Sequence, residues 1–114
     1  MKNEYGENLD KNGYAPSIIN EEESCMLCKK GGSAFGANLA RHEIFGGSRR
    51  EKSKRLGLWV WLCPTCHAEI HASGKRTLAL HHVGQRAAME YYGWTADEFR
   101  ERFGVNYICA TCVK

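Results

Sequence analysis

Leu62-Cys63-Pro64-Thr65-Cys66-His67-Ala68-Glu69-Ile70-His71 decides how this chain folds. A Cys-x-x-Cys pair runs directly into two histidines four residues apart. Pro64 stands where the first turn of a helix tolerates proline, and His67, Ile70 and His71 fall at helical offsets, so the spacing predicts a short helix from about Thr65 to Ala72. On such a helix His67 and His71 project from one face and can reach one ion. The pattern points to metal-dependent chemistry.

Upstream, Leu58-Trp59-Val60-Trp61-Leu62 is almost wholly apolar and reads as a strand whose two faces both need cover. Trp59 and Trp61 alternate with Leu58, Val60 and Leu62, a spacing expected of core packing against flanking helices. Leu39 to Phe45 has the length and apolar content of another strand, closed by Gly46-Gly47. The connection between them carries Arg49, Arg50, Lys52, Lys54 and Arg55 and reads as a basic loop. Strand, loop, strand and short metal-bearing helix make a ββα unit, so the fold class expected is α+β with a zinc-stapled hairpin-and-helix core.

Around this core, residues 1–23 are polar and aperiodic and read as a loosely ordered arm. Residues 24–74 form the core, and 75–114 a helical extension. In that extension Leu78 to Tyr92 is loosely helical in period and stops at Gly93. Thr95-Ala96-Asp97-Glu98 is a capping box for a helix running through Phe99 and Phe103 to Gly104. The tail V-N-Y-I-C-A-T-C reads as a short strand and a turn. His81 and His82 match no motif and are expected to face solvent.

At 114 residues, 43% apolar and 25% charged, the chain has the composition of one soluble domain. No apolar run is long enough to span a bilayer, and the opening M-K-N-E-Y-G-E-N-L-D has no apolar core of a secretion signal. A reducing cytoplasm is the expected setting. There, six cysteines arranged as three Cys-x-x-Cys pairs mean metal thiolates before disulfides. The net charge of +3 is unevenly spread, with the cations crowded between the strands.

Cys25, Cys28, Cys63 and Cys66 are the expected ligands of a structural Zn²⁺, since a two-residue spacer lets both sulfurs of a knuckle reach one tetrahedral ion. Cys109 and Cys112 stay open to three readings: a substitute knuckle, a second site with His81 or His82, or two thiols near a chain end. Cys63 to His67 also matches the C-x-x-C-H haem-attachment string, but the export route that haem attachment needs is missing. His42, in Arg41-His42-Glu43-Ile44, is the candidate third ligand to the ion of His67 and His71.

The order Cys-x-x-Cys, H-E-I-F-G-G, basic loop, then G-L-W-V-W-L-C-P-T-C-H-x-x-x-H resembles the HNH endonucleases of the ββα-metal fold, in particular small phage-type members. The likeness covers residues 24–72 closely and Leu78 to Ile108 more loosely. It implies hydrolysis of a DNA phosphodiester with one divalent ion (Mg²⁺, Mn²⁺, Ni²⁺ or Zn²⁺) on His42, His67 and His71. Glu43 falls where the family has its general-base histidine, and Leu58 where it has an asparagine that helps fix the loop. Arg49, Arg50, Lys52, Lys54 and Arg55 would meet backbone phosphates. The expected setting is phage recombination or packaging in a bacterial host's cytoplasm, with DNA and a phage or host protein as partners and the oligomeric state open. The rival expectation is an inactive zinc module of the same frame that binds DNA or protein.

Overall fold

The apolar pentad Leu58 to Leu62 forms the centre of the molecule. In the computed structural model, which describes residues 1–20, 24–27 and 39–107, strand β2 (Trp59–Leu62) pairs antiparallel with β1 (Ala40–Glu43). The register sets Ala40 against Leu62, Arg41 against Trp61, His42 against Val60 and Glu43 against Trp59. Directly paired residues share a face, so His42 lies with Val60 on one side while Arg41 and Glu43 lie with the tryptophans on the other. Leu58, Val60 and Leu62 are wholly buried.

Helix α2 (Pro64–Ala72) follows β2 at once, and the Sγ of Cys63 caps it by accepting the Cys66 backbone N–H at 3.5 Å. Helix α3 (Gly74–Tyr92) begins four residues earlier than the apolar pattern predicts. Ser73 explains the difference: its side chain accepts the Arg76 N–H at 3.2 Å, so the Ser-Gly break is a corner between two helices. Helix α4 (Ala96–Phe103) starts at the expected Thr95/Glu98 capping box. Its Phe99 and Phe103 pack with Phe45 and Ile70 into the core beneath the sheet. The chain is therefore a small α+β protein, with a two-stranded hairpin and four α-helices among the described residues.

The fourth helix lies in the supposed loop. Gly47–Arg49 make a 3-10 turn and Arg50–Arg55 form α1. Lysine, arginine and glutamate are good helix formers, and one buried serine supplies the anchor. The Ser53 hydroxyl accepts the Phe45 N–H at 3.0 Å and donates to the Phe45 carbonyl at 2.8 Å. Gly57 then ends the connection at a φ of 74°, where a Cβ would lie 2.3 Å from the Pro16 carbonyl oxygen.

That approach of Pro16 reflects the largest departure from expectation. Residues 1–23 are expected to be a loose arm, yet residues 1–20 cover the tryptophan face of the sheet. The Trp59 indole donates to the Ala15 carbonyl at 2.8 Å, and Ala15 is 1% exposed. Ser17 Oγ donates to the Trp59 carbonyl at 2.6 Å, and Asn20 Oδ1 accepts the Trp61 N–H at 2.7 Å. These bonds satisfy the edge of β2 turned away from β1, which would otherwise offer unpaired groups. Trp59 is thus packed by the N-terminal segment and not by flanking helices. A polar segment needs few apolar residues for this task, because side-chain oxygens do it. The tail strand expected beyond Tyr107 lies outside the described residues, and Val105 to Tyr107 form no strand.

Candidate functional site

Two clusters of donor atoms sit at the two ends of the L-C-P-T-C-H-A-E-I-H stretch. Cys25, Cys63 and Cys66 are all buried, with their sulfurs within 4.8 Å of one another. Zinc bound at ~2.3 Å to each of two thiolates in a tetrahedron separates the sulfurs by about 3.8 Å, so the group fits such an ion. The Cys66 N–H directed at Cys63 Sγ is the kind of donor that stabilises thiolate charge. Three close buried cysteines can hold zinc; Cys28, the expected fourth ligand, lies outside the described residues, as do Cys109 and Cys112.

The second cluster is His42, His67 and His71, whose donor nitrogens also fall within 4.8 Å. α2 places the last two one turn apart, Nε2 to Nε2 at 3.1 Å, and β1 delivers His42 edge-on to both rings, centroids 5.4 and 5.7 Å away. Nitrogens bound at ~2.0–2.1 Å to one tetrahedral ion stand about 3.3 Å apart, so this set too has the dimensions of a metal site. Burial, then the charges of His67 and His71, lower the His42 pKa to about 4. Burial and the neighbouring His71 also lower that of His67. At neutral pH both rings are therefore uncharged, the form that offers a lone pair.

The histidines open onto a cleft of about 890 Å³ that wraps around the free edge of β1 and reaches the opposite face. That wrapping brings Glu43 into the same cleft as His42 although the two alternate along the strand. Glu43 has both oxygens engaged. Oε2 accepts the Tyr14 hydroxyl at 2.5 Å and Oε1 pairs with Arg50 Nε at 2.8 Å. Burial first, then the hydrogen bond to Glu43 and its charge, raise the Tyr14 pKa, so its proton stays on the phenol.

The five cations of the connection divide. Arg50 and Lys54 line the cleft; Lys54 lies 4.9 Å from the Tyr14 ring centroid. Arg49 and Lys52 turn away to bind the carbonyls of Phe103 and Arg102 at the C-terminus of α4, where cations complement the helix dipole. Arg55 pairs with Glu4 at 3.2 Å. The expectation of five cations presented together as a loop does not describe this arrangement: rolled into a helix, they point in different directions. Arg41 takes a place in the cleft that the cation count overlooked, 4.3 Å from the Tyr14 centroid and paired with Asp10 at 2.7 Å.

Tyr14 and His81 also line the cleft. Nothing local marks Tyr14, which lies in an aperiodic segment. His81 was expected to face solvent, but it is half-buried, stacked on Phe45 with centroids 5.4 Å apart and tilted against Tyr107 at 4.4 Å. A signal existed: residue 81 shares the helical stripe of Gly84, Gln85 and Ala88, all buried.

Comparison with family models, with curated proteins and with solved structures found no match. Among the described residues no helix is long and apolar enough to cross a membrane.

Proposed function

We propose that this chain is a metal-dependent phosphodiester hydrolase that nicks or cuts DNA, built on the ββα-metal plan of the HNH endonucleases. The observation that carries the reading is the convergence of His42 from β1 with His67 and His71 from α2 at the wall of a cationic cleft. The strand-strand-helix order and the separate thiol cluster support it. A divalent ion held by the three histidines would polarise a phosphoryl oxygen and stabilise the charge that develops on the leaving oxygen. Arg50, steered by Glu43, and Lys54, lying over Tyr14, are placed to neutralise backbone phosphates without reading sequence. Ser53 ties the connection to the end of β1, the task that the family gives to the asparagine replaced by Leu58.

A second reading, a zinc module that binds DNA without turnover, draws on Glu43. A carboxylate bound to Tyr14 at one oxygen and to Arg50 at the other is already committed to holding those two side chains. Supercoiled plasmid separates the two. Wild type with Mg²⁺, Mn²⁺ or Ni²⁺ is expected to yield nicked circles, and His71→Ala to lose them. No metal-dependent nick from wild type, or equal cutting by His71→Ala, overturns the hydrolase reading.

A further inference from the structure

Glu43 is occupied, yet the cleft holds another group able to accept a proton. The His81 ring comes from α3, far from β1 in sequence, and reaches the cleft because Gly84 lets that helix lie against the end of β1. A Cβ at Gly84 would come within 2.8 Å of Ile44 Cγ2 and 3.1 Å of the Phe45 ring. The imidazole packs against two aromatic rings that also stack on each other, at 25° to Phe45 and 43° to Tyr107. Tyr107 is itself fixed, since its N–H donates to the buried Gln85 side chain at 2.7 Å. One edge of the ring meets the Ile44 backbone, whose carbonyl favours a proton on the facing nitrogen. The other nitrogen keeps its lone pair, the arrangement by which a backbone carbonyl sets the tautomer of a working histidine. Burial lowers the His81 pKa and so keeps the ring neutral. His81 is not one of the three clustered imidazoles, but it is near enough for its charge to act on His42.

We propose that His81 is a catalytic residue, the proton acceptor for the attacking water, and that Glu43 is a positioning residue for Arg50 and Tyr14. This rests on the hydrolase reading above. The water oxygen forms the new bond to phosphorus as its proton passes to the His81 nitrogen, the bond from phosphorus to the leaving sugar oxygen breaks, that oxygen takes up a proton from solvent in the open cleft, and His81 returns its own proton to solvent. A histidine that merely packs against Phe45 and Tyr107 would be replaceable by another flat ring.

The test compares wild type, His81→Phe, His81→Gln and His81→Ala in plasmid nicking with whichever of Mg²⁺, Mn²⁺ or Ni²⁺ supports nicking by wild type. His81→Phe keeps the ring stack, and its folding is checked by its melting temperature and by cobalt binding at the three-histidine site. The expected result is a fall of about 10²–10⁴-fold in nicking rate for both His81→Phe and His81→Gln. Added imidazoles are expected to restore His81→Ala, at rates that rise with the basicity of the imidazole. Full activity in folded His81→Phe, or no rescue of folded His81→Ala by any imidazole, overturns the assignment. If wild type itself fails to nick with any ion, the hydrolase reading falls first, an outcome distinct from a working enzyme indifferent to His81.

Discussion

Replacing Ser53 by alanine tests how the connection between the strands is held. Ser53 is wholly buried in α1, and its hydroxyl serves both main-chain groups of Phe45, at 3.0 and 2.8 Å. Alanine removes both bonds and puts nothing in their place. Each buried backbone group left without its partner costs about 1–3 kcal/mol, while alanine returns about 0.5 kcal/mol as the better helix former. The expected net loss is about 1.5–5.5 kcal/mol, a fall in Tm of roughly 6–22 °C for a chain of this size. Urea unfolding followed by tryptophan fluorescence measures it, with an exposed serine of the same connection, Ser48→Ala, as the control expected to stay within about 0.5 kcal/mol. Because Phe45 closes β1 and stacks on His81, Ser53→Ala is also expected to weaken cobalt binding by the histidines. A Ser53→Ala protein as stable as wild type, with an unchanged urea slope, would refute the claim that this hydroxyl anchors the site.

Cys63→Ser is expected to remove about one zinc per chain after gel filtration and to lower thermal stability, since three buried sulfurs converge there; full retention of zinc would move the site elsewhere. In metal-free protein the lowered pKa of His42 gives a pH dependence of definite sign. Between about 4 and its ordinary 6.5 the unfolded chain binds the proton more readily than the folded one, so stability falls as pH drops through that window and is level above it. Between pH 7.5, 5.5 and 4.5 the urea midpoint of wild type should therefore fall further than that of His42→Gln; parallel curves would contradict this. Among the cations, Arg50→Ala should lower the salt dependence of DNA binding by about one phosphate contact, while Arg55→Ala, whose partner is Glu4 outside the cleft, should leave it unchanged. Equal effects of the two would show that the connection still acts as one patch.

Much of this protein was legible from short-range signals. Pro64 and the four-residue spacing of His67 and His71 act within one helix, the Thr95/Glu98 box within one turn, and the apolar run from Leu58 to Leu62 marks a buried strand wherever it packs. The hairpin order alone sets His42 beside α2, and the donor nitrogens of His42, His67 and His71 lie within 4.8 Å of one another. The basic stretch was harder, because its helix depends on Ser53 finding Phe45 across the turn.

What the tertiary structure alone decided are the meetings of groups far apart in sequence. Tyr14 clamps Glu43 from the N-terminal segment, Arg49 and Lys52 are drawn off to the end of α4, and His81 arrives over Gly84. None of these has a periodic or local signature, since each depends on which surfaces the packed core leaves adjacent. The amino-acid sequence by itself determined a frame of strand, strand and helix that carries three histidines; packing decided which charges and which further imidazole share its cleft.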